Sequence, residues 1–127
     1  MGNLILVAFG GALGSMARYA LSGATLKILG SNLPYGTLAV NLAGSLGAGI
    51  ILGSFGNLPV APATRLFLVV GFLGGFTTFS AFSMETISLL RDGQARLAVA
   101  HILLNNVLGI GLAFVGYWMA NNIRPLQ

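Results

Sequence analysis

"GFLGGFTTFSAF", residues 71–82, lies inside a long apolar run and interrupts it. A helix with no task beyond crossing a bilayer needs only Leu, Ile, Val and Ala. This stretch instead sets paired glycines, three hydroxyls (Thr77, Thr78, Ser80) and a series of phenylalanines near the middle of the run. The apolar setting decides the fold class. The interruption marks where function is to be sought.

Working outward, 56% of the 127 residues are hydrophobic and 6% are charged, whereas soluble domains carry about 25% charged residues. Mean hydropathy is +0.90. A soluble fold of this size could not hide so much apolar surface, so the solvent for most of the chain is membrane lipid. Glycine is frequent, at 19 residues, and membrane helices use small residues to let backbones pack closely. The absence of cysteine excludes disulfides and thiolate metal sites. The net charge of +4 comes from six cations scattered among apolar segments. They form no basic patch, so they read as membrane-flank charges and nucleic acid is not expected as a partner.

Four spans follow, at about 3–29, 36–55, 64–90 and 97–121, each with the ~20 residues that cross the hydrocarbon. The breaks carry turn chemistry: "GSNLPYG" (30–36), "GNLPVAPA" (56–63) and "RDGQAR" (91–96). The expectation is one four-helix transmembrane domain over 1–127. The first span lacks a basic start and exceeds the apolar core of a signal peptide, so it counts as a span. With four spans, the termini share one side with the 56–63 loop. That side carries Arg65 and Arg124. The other carries Lys27, Arg91 and Arg96, with Arg18 inside the first span nearest that end. Positive-inside bias sets topology, and here it is nearly balanced, so a chain of this kind can insert both ways and pair antiparallel. Polar residues within the spans (Arg18, Asn41, Thr77, Thr78, Ser80, Ser83, Asn105, Asn106) need partners or water rather than lipid, and a homo-oligomer supplies them.

Enzyme readings fail. There is one histidine, His101, with two acids, Glu85 and Asp92. They give no metal spacing and no nucleophile, base and orienter. His101 reads as an interfacial or packing residue. "GFLGG" follows no strand and precedes no Lys-Ser/Thr, so it is not a phosphate loop. Gly49 and Gly53, at GxxxG spacing, read as a helix-packing face.

On a continuous helix, Thr77, Ser80 and Ser83 form a slanted hydroxyl stripe, with Phe79 and Phe82 on the neighbouring face. Gly74 and Gly75 sit where a helix is most easily interrupted. A broken transmembrane helix exposes N–H groups at the start of its second half and carbonyls at the end of its first. The former attract anions and the latter cations. The third span has no acid before Glu85. Hydroxyls, amides and aromatic ring edges all offer partial positive charge, so the lining suits a small anion.

"GFLGGFTTFSAFSMET" (71–86), "PYGTLAVNLAGSLGAG" (34–49) and "GGALGSMARY" (10–19) together resemble the signature motifs of the Fluc (CrcB-type) fluoride channels. The resemblance covers essentially the whole chain. It implies a passive, fluoride-selective channel, built as an antiparallel dual-topology homodimer with two pores and a structural sodium ion at the central interface. By motif, it implies a fluoride pore of Phe79, Phe82 and Asn41, with a polar track of Thr78, Ser80 and Ser83. It places the sodium on backbone carbonyls of Gly74 and Thr77 from both subunits. It matches Arg18 to the family's first-helix arginine, here expected in an aqueous vestibule, and Glu85 to the acid after the Phe pair. Two departures stand out. Ala81 replaces a threonine frequent in the family, and the fourth span offers Asn105 and Asn106 where members show a serine or other polar residue. Asn106 is preferred as the pore-facing one.

The reading is therefore an all-α membrane protein with four transmembrane helices per subunit, the third broken near its middle. It would export fluoride across a bacterial cytoplasmic (inner) membrane and so lower its toxicity. Two rivals remain. A small multidrug-type proton antiporter needs a first-span carboxylate, and residues 3–29 hold none. A non-transporting structural subunit has no use for glycines and hydroxyls gathered at one depth.

Overall fold

A computed structural model of the chain describes residues 2–56 and 59–122. Asn57 and Leu58 of the second connection, and Arg124 of the charge tally, lie outside the described residues. The chain runs as α1 (Gly2–Leu29), α2 (Tyr35–Phe55), α3 (62–76), α4 (Phe79–Arg91) and α5 (Ala95–Asn122). α3 and α4 together make one span, so among the described residues four segments are long and apolar enough to cross a membrane.

The connections follow local chemistry. α1 ends at Gly30, whose φ of +79° suits a residue without Cβ, and whose N–H closes on the Leu26 carbonyl at 3.0 Å. Pro62 opens α3, where a missing N–H removes nothing. Gly93, at φ +74°, turns the chain from α4 into α5.

Packing is by close backbone approach. α1 lies against α3, and α2 lies most extensively against α5. A methyl group at Gly14 would run into the Phe72 carbonyl, and one at Gly75 into the Gly11 carbonyl. The expected Gly49 and Gly53 face is such a seam, set against Ala113 and Tyr117 of α5, with Gly116 returning the contact to Leu46. Without a hydrophobic drive between helices in lipid, this fit is the main source of cohesion.

Two stretches, Leu66–Leu73 and Leu104–Leu108, open into wider π-helical turns. The third span then departs from helix altogether at Thr77 (φ −79°, ψ 158°) and Thr78 (φ −149°, ψ 114°). This corrects two expectations. Gly74 and Gly75 are themselves helical, and Thr77 lies outside α4, so it does not head a helical stripe with Ser80 and Ser83. The cause is tertiary: Thr78 is held by a side chain of α2, described below.

Only 11% to 28% of each span's apolar window is buried within the chain. Phe9, Tyr19, Phe79, Phe114 and Trp118 are among the exposed large side chains. The inner core is small and centres on Val40, Phe76, Phe82, Ala98 and His101.

Candidate functional site

The extended pair Thr77–Thr78 crosses α2 at Asn41. The Asn41 Oδ1 accepts from the Thr78 N–H at 2.9 Å, and its Nδ2 donates to the Thr78 carbonyl at 3.1 Å. The second Nδ2 proton goes to Asn105 Oδ1 on α5 at 3.0 Å. Asn41 thus replaces for Thr78 the backbone partners that a helix would supply. Both its protons are committed, which makes it a clamp on the break.

Thr78 caps α4, its Oγ1 accepting from the Ala81 N–H at 3.2 Å. The Thr78 and Ser80 hydroxyls lie 3.3 Å apart. One proton bridges the two oxygens, which leaves the other hydroxyl proton free to donate. Ser83 donates to its own helix, at the Phe79 carbonyl. Thr77 likewise donates to the Leu73 carbonyl. At the end of α3, the Thr78 N–H that would close a turn on the Gly74 carbonyl goes to Asn41 instead, so Gly74 has no turn-closing donor from that residue.

Beside the clamp lies a cavity of about 350 Å³ bounded by Asn41, Thr77, Thr78, Phe79, Phe82, Asn105 and Asn106, with no acid among its described lining residues. The Phe79 and Phe82 rings stand 5.3 Å apart, tilted by 45°. They differ sharply in setting: Phe82 is 9% exposed and Phe79 is 76% exposed. Phe82 backs onto the His101 ring at 5.2 Å. Asn105, not Asn106, reaches Asn41; Asn106 lines the cavity and donates to the Ile102 carbonyl.

A second cleft, of about 980 Å³, holds Arg18, Ser15 and Tyr19 from α1 with Thr78, Ser80 and Glu85. Thr78 lines both spaces and sits where they approach each other, whereas Ser80 lines the second. Glu85 accepts from Thr37 Oγ1 at 2.7 Å and faces His101 Nε2 at 3.4 Å.

His101 is fully buried and joined to Asn105, so it is more than an interfacial or simple packing residue. Reading residues singly missed this. The available signal was the i, i+4 spacing of His101 and Asn105 on one helix face, together with Glu85 on the helix just before it. Among the described residues no group of three or more His, Cys, Asp or Glu is placed to hold a metal.

A family model described as CrcB-like protein, Camphor Resistance (CrcB), matches residues 5–117. A protein of Leptospira interrogans serovar copenhageni named fluoride-specific ion channel FluC is 46% identical over 121 residues, covering 94% of this chain and 95% of the relative. A protein of the same name from Syntrophotalea carbinolica is 42% identical over 122 residues, covering 95% and 99%. A third, from Dehalococcoides mccartyi, is 39% identical over 125 residues, covering 98% and 96%. With likeness along almost its whole length, the chain belongs to the CrcB-like family.

Proposed function

We propose that this protein is a passive, fluoride-selective channel that lets fluoride leave the cytoplasm. The observation that carries the reading is the clamped break itself. Asn41 holds Thr78 extended, so α4 begins in mid-membrane beside the acid-free cavity of Phe79 and Phe82. The first N–H groups of a helix have no intrahelical partner and carry partial positive charge. A strongly hydrated small anion needs donors at close range to replace its water. The spare hydroxyl proton of the Thr78–Ser80 pair and the first turn of α4 supply them. The edges of Phe79 and Phe82 add weaker positive potential and exclude bulk water. Asn106 keeps one amide proton for the path, while Ser83 reaches it only by releasing the Phe79 carbonyl. Asn41 acts by holding the backbone rather than by ligating the ion. Arg18, in the larger cleft, raises the local anion concentration.

The working form is an antiparallel homodimer in the bacterial inner membrane. The small buried share of each span and the near-balanced flanking cations support it. The Gly74 and Thr77 carbonyls of two such subunits would hold a sodium ion, which neutralises carbonyl dipoles at the interface. The test is fluoride efflux from liposomes containing the purified protein, compared with chloride. Rapid fluoride loss with retained chloride is expected; equal rates, or none, would refute the reading.

A further inference from the structure

One run of side chains has a direction that can be read atom by atom, because it starts on a group that cannot turn round. The Thr78 N–H donates to Asn41, so the atom of Asn41 facing it is the carbonyl oxygen. The Asn41 Nδ2 then points at Asn105 Oδ1. Asn105 turns its own Nδ2 the other way, to the His101 carbonyl at 3.0 Å and to His101 Nδ1 at 3.2 Å. An imidazole nitrogen that accepts a hydrogen bond carries no proton, so the proton of neutral His101 is on Nε2. Nε2 faces Glu85 Oε2 at 3.4 Å, within ion-pair distance, and both atoms are buried without a hydrogen-bond partner. One Glu85 oxygen is satisfied by Thr37 and the other faces the ring, and the run ends there.

We propose that His101 and Asn105 are positioning residues: the Nε2–H form of His101, set against Glu85, fixes the direction of the Asn105 and Asn41 amides and keeps Asn41 on the Thr78 backbone. The proposal rests on the channel reading for its consequence, since it makes the break depend on a ring proton two helices away. Reversal is blocked. A proton on Nδ1 would force Asn105 to present its oxygen to the ring. Its Nδ2 would then meet the Nδ2 of Asn41. Asn41 could not turn in reply without setting its N–H groups against the Thr78 N–H. Among the described residues, Glu85 on α4 is the charged side chain that faces the ring. Asn105 on α5 and Phe82 on α4 are neutral, as are Thr37 and Asn41 on α2.

The chain has one histidine, so nitrogen-15 labelling of histidine in the intact protein gives one pair of ring signals with no assignment problem. The expected spectrum at neutral pH has the proton on Nε2 and a bare Nδ1. In Asn105→Asp the carboxylate accepts from both neighbours, and Nδ1 gains a proton. Asn105→Leu removes one of the clamp's bonds, and fluoride flux falls about tenfold, as for the loss of roughly 1.4 kcal/mol. A proton on Nδ1 in the unaltered protein would overturn the proposal, as would a bare Nδ1 in Asn105→Asp or full flux in Asn105→Leu. If either variant fails to fold, the spectrum of the unaltered protein decides. That spectrum needs no transport assay. Absent fluoride flux with the expected ring proton would therefore sink the channel reading and leave the hydrogen-bond direction standing.

Discussion

Asn41 on α2 grips both polar groups of the Thr78 backbone, accepting from its N–H at 2.9 Å and donating to its carbonyl at 3.1 Å. A side chain thereby stands in for a strand partner in the middle of a membrane. Asn41→Asp turns an acceptor toward the Thr78 carbonyl and Asn105 Oδ1. Each buried polar group left unpaired costs about 1–3 kcal/mol, so fluoride efflux should fall roughly a hundredfold or more. Liposome efflux, with gel filtration as the folding check, measures this. Near-normal flux would show that the break holds without the clamp.

Phe79 and Phe82 separate by their surroundings. Phe82→Ile removes ring from a packed site against His101 and should lower stability by about 1–3 kcal/mol. Phe79→Ile, at an exposed position, should leave thermal stability almost unchanged. Both should strongly reduce fluoride flux, because shape is roughly kept and the quadrupole is lost. Normal flux in both variants would reduce the rings to packing.

The glycine seams give a paired test. Gly14→Leu drives a side chain into the Phe72 carbonyl, and Gly49→Leu drives one into the Ala113 carbonyl. Both should abolish the folded protein on gel filtration. Gly23→Ala meets nothing within 4 Å and should be tolerated. Equal behaviour of the three would remove close backbone approach as the source of cohesion.

If carbonyls of Gly74 and Thr77 hold sodium, exhaustive replacement of sodium by a bulky organic cation should depress flux or dissociate the dimer. Unchanged activity after such exchange, with sodium verified absent by elemental analysis, would remove the ion from the account.

Antiparallel assembly predicts that a tag at either terminus is reached from both sides of the membrane, in comparable amounts. Labelling from one side only, in every copy, would replace dual topology with a fixed one.

The apolar runs were legible because hydropathy is local: each span carries its own signal, and four long helices result. The polar and aromatic character of residues 77–82 was legible for the same reason. The position of the break was not. Gly74 and Gly75 have the weaker helix propensity, but Thr78 leaves the helix because Asn41, 37 residues earlier, offers its backbone a better set of partners. The role of His101 was half visible: Asn105 lies one turn further along the same helix, but Glu85 and Phe82 come from the helix before it. The choice between Asn105 and Asn106 turned on helical phase, and both lie in a π-helical turn, where spacing rules built on 3.6 residues no longer assign faces.

The extended pair at 77–78 is also a joint between two registers. Upstream of it, the third span fits its glycines to α1; downstream, α4 turns toward α5. A single unbroken helix would have to satisfy both neighbours with one fixed angular stripe. Two residues at roughly 3.3 Å rise instead of 1.5 Å lengthen the span by about 3.6 Å and uncouple the rotation of its halves. The joint therefore lets α3 take the rotational setting that its glycine seam on α1 requires while α4 takes another, which places the rings of Phe79 and Phe82 independently of that seam.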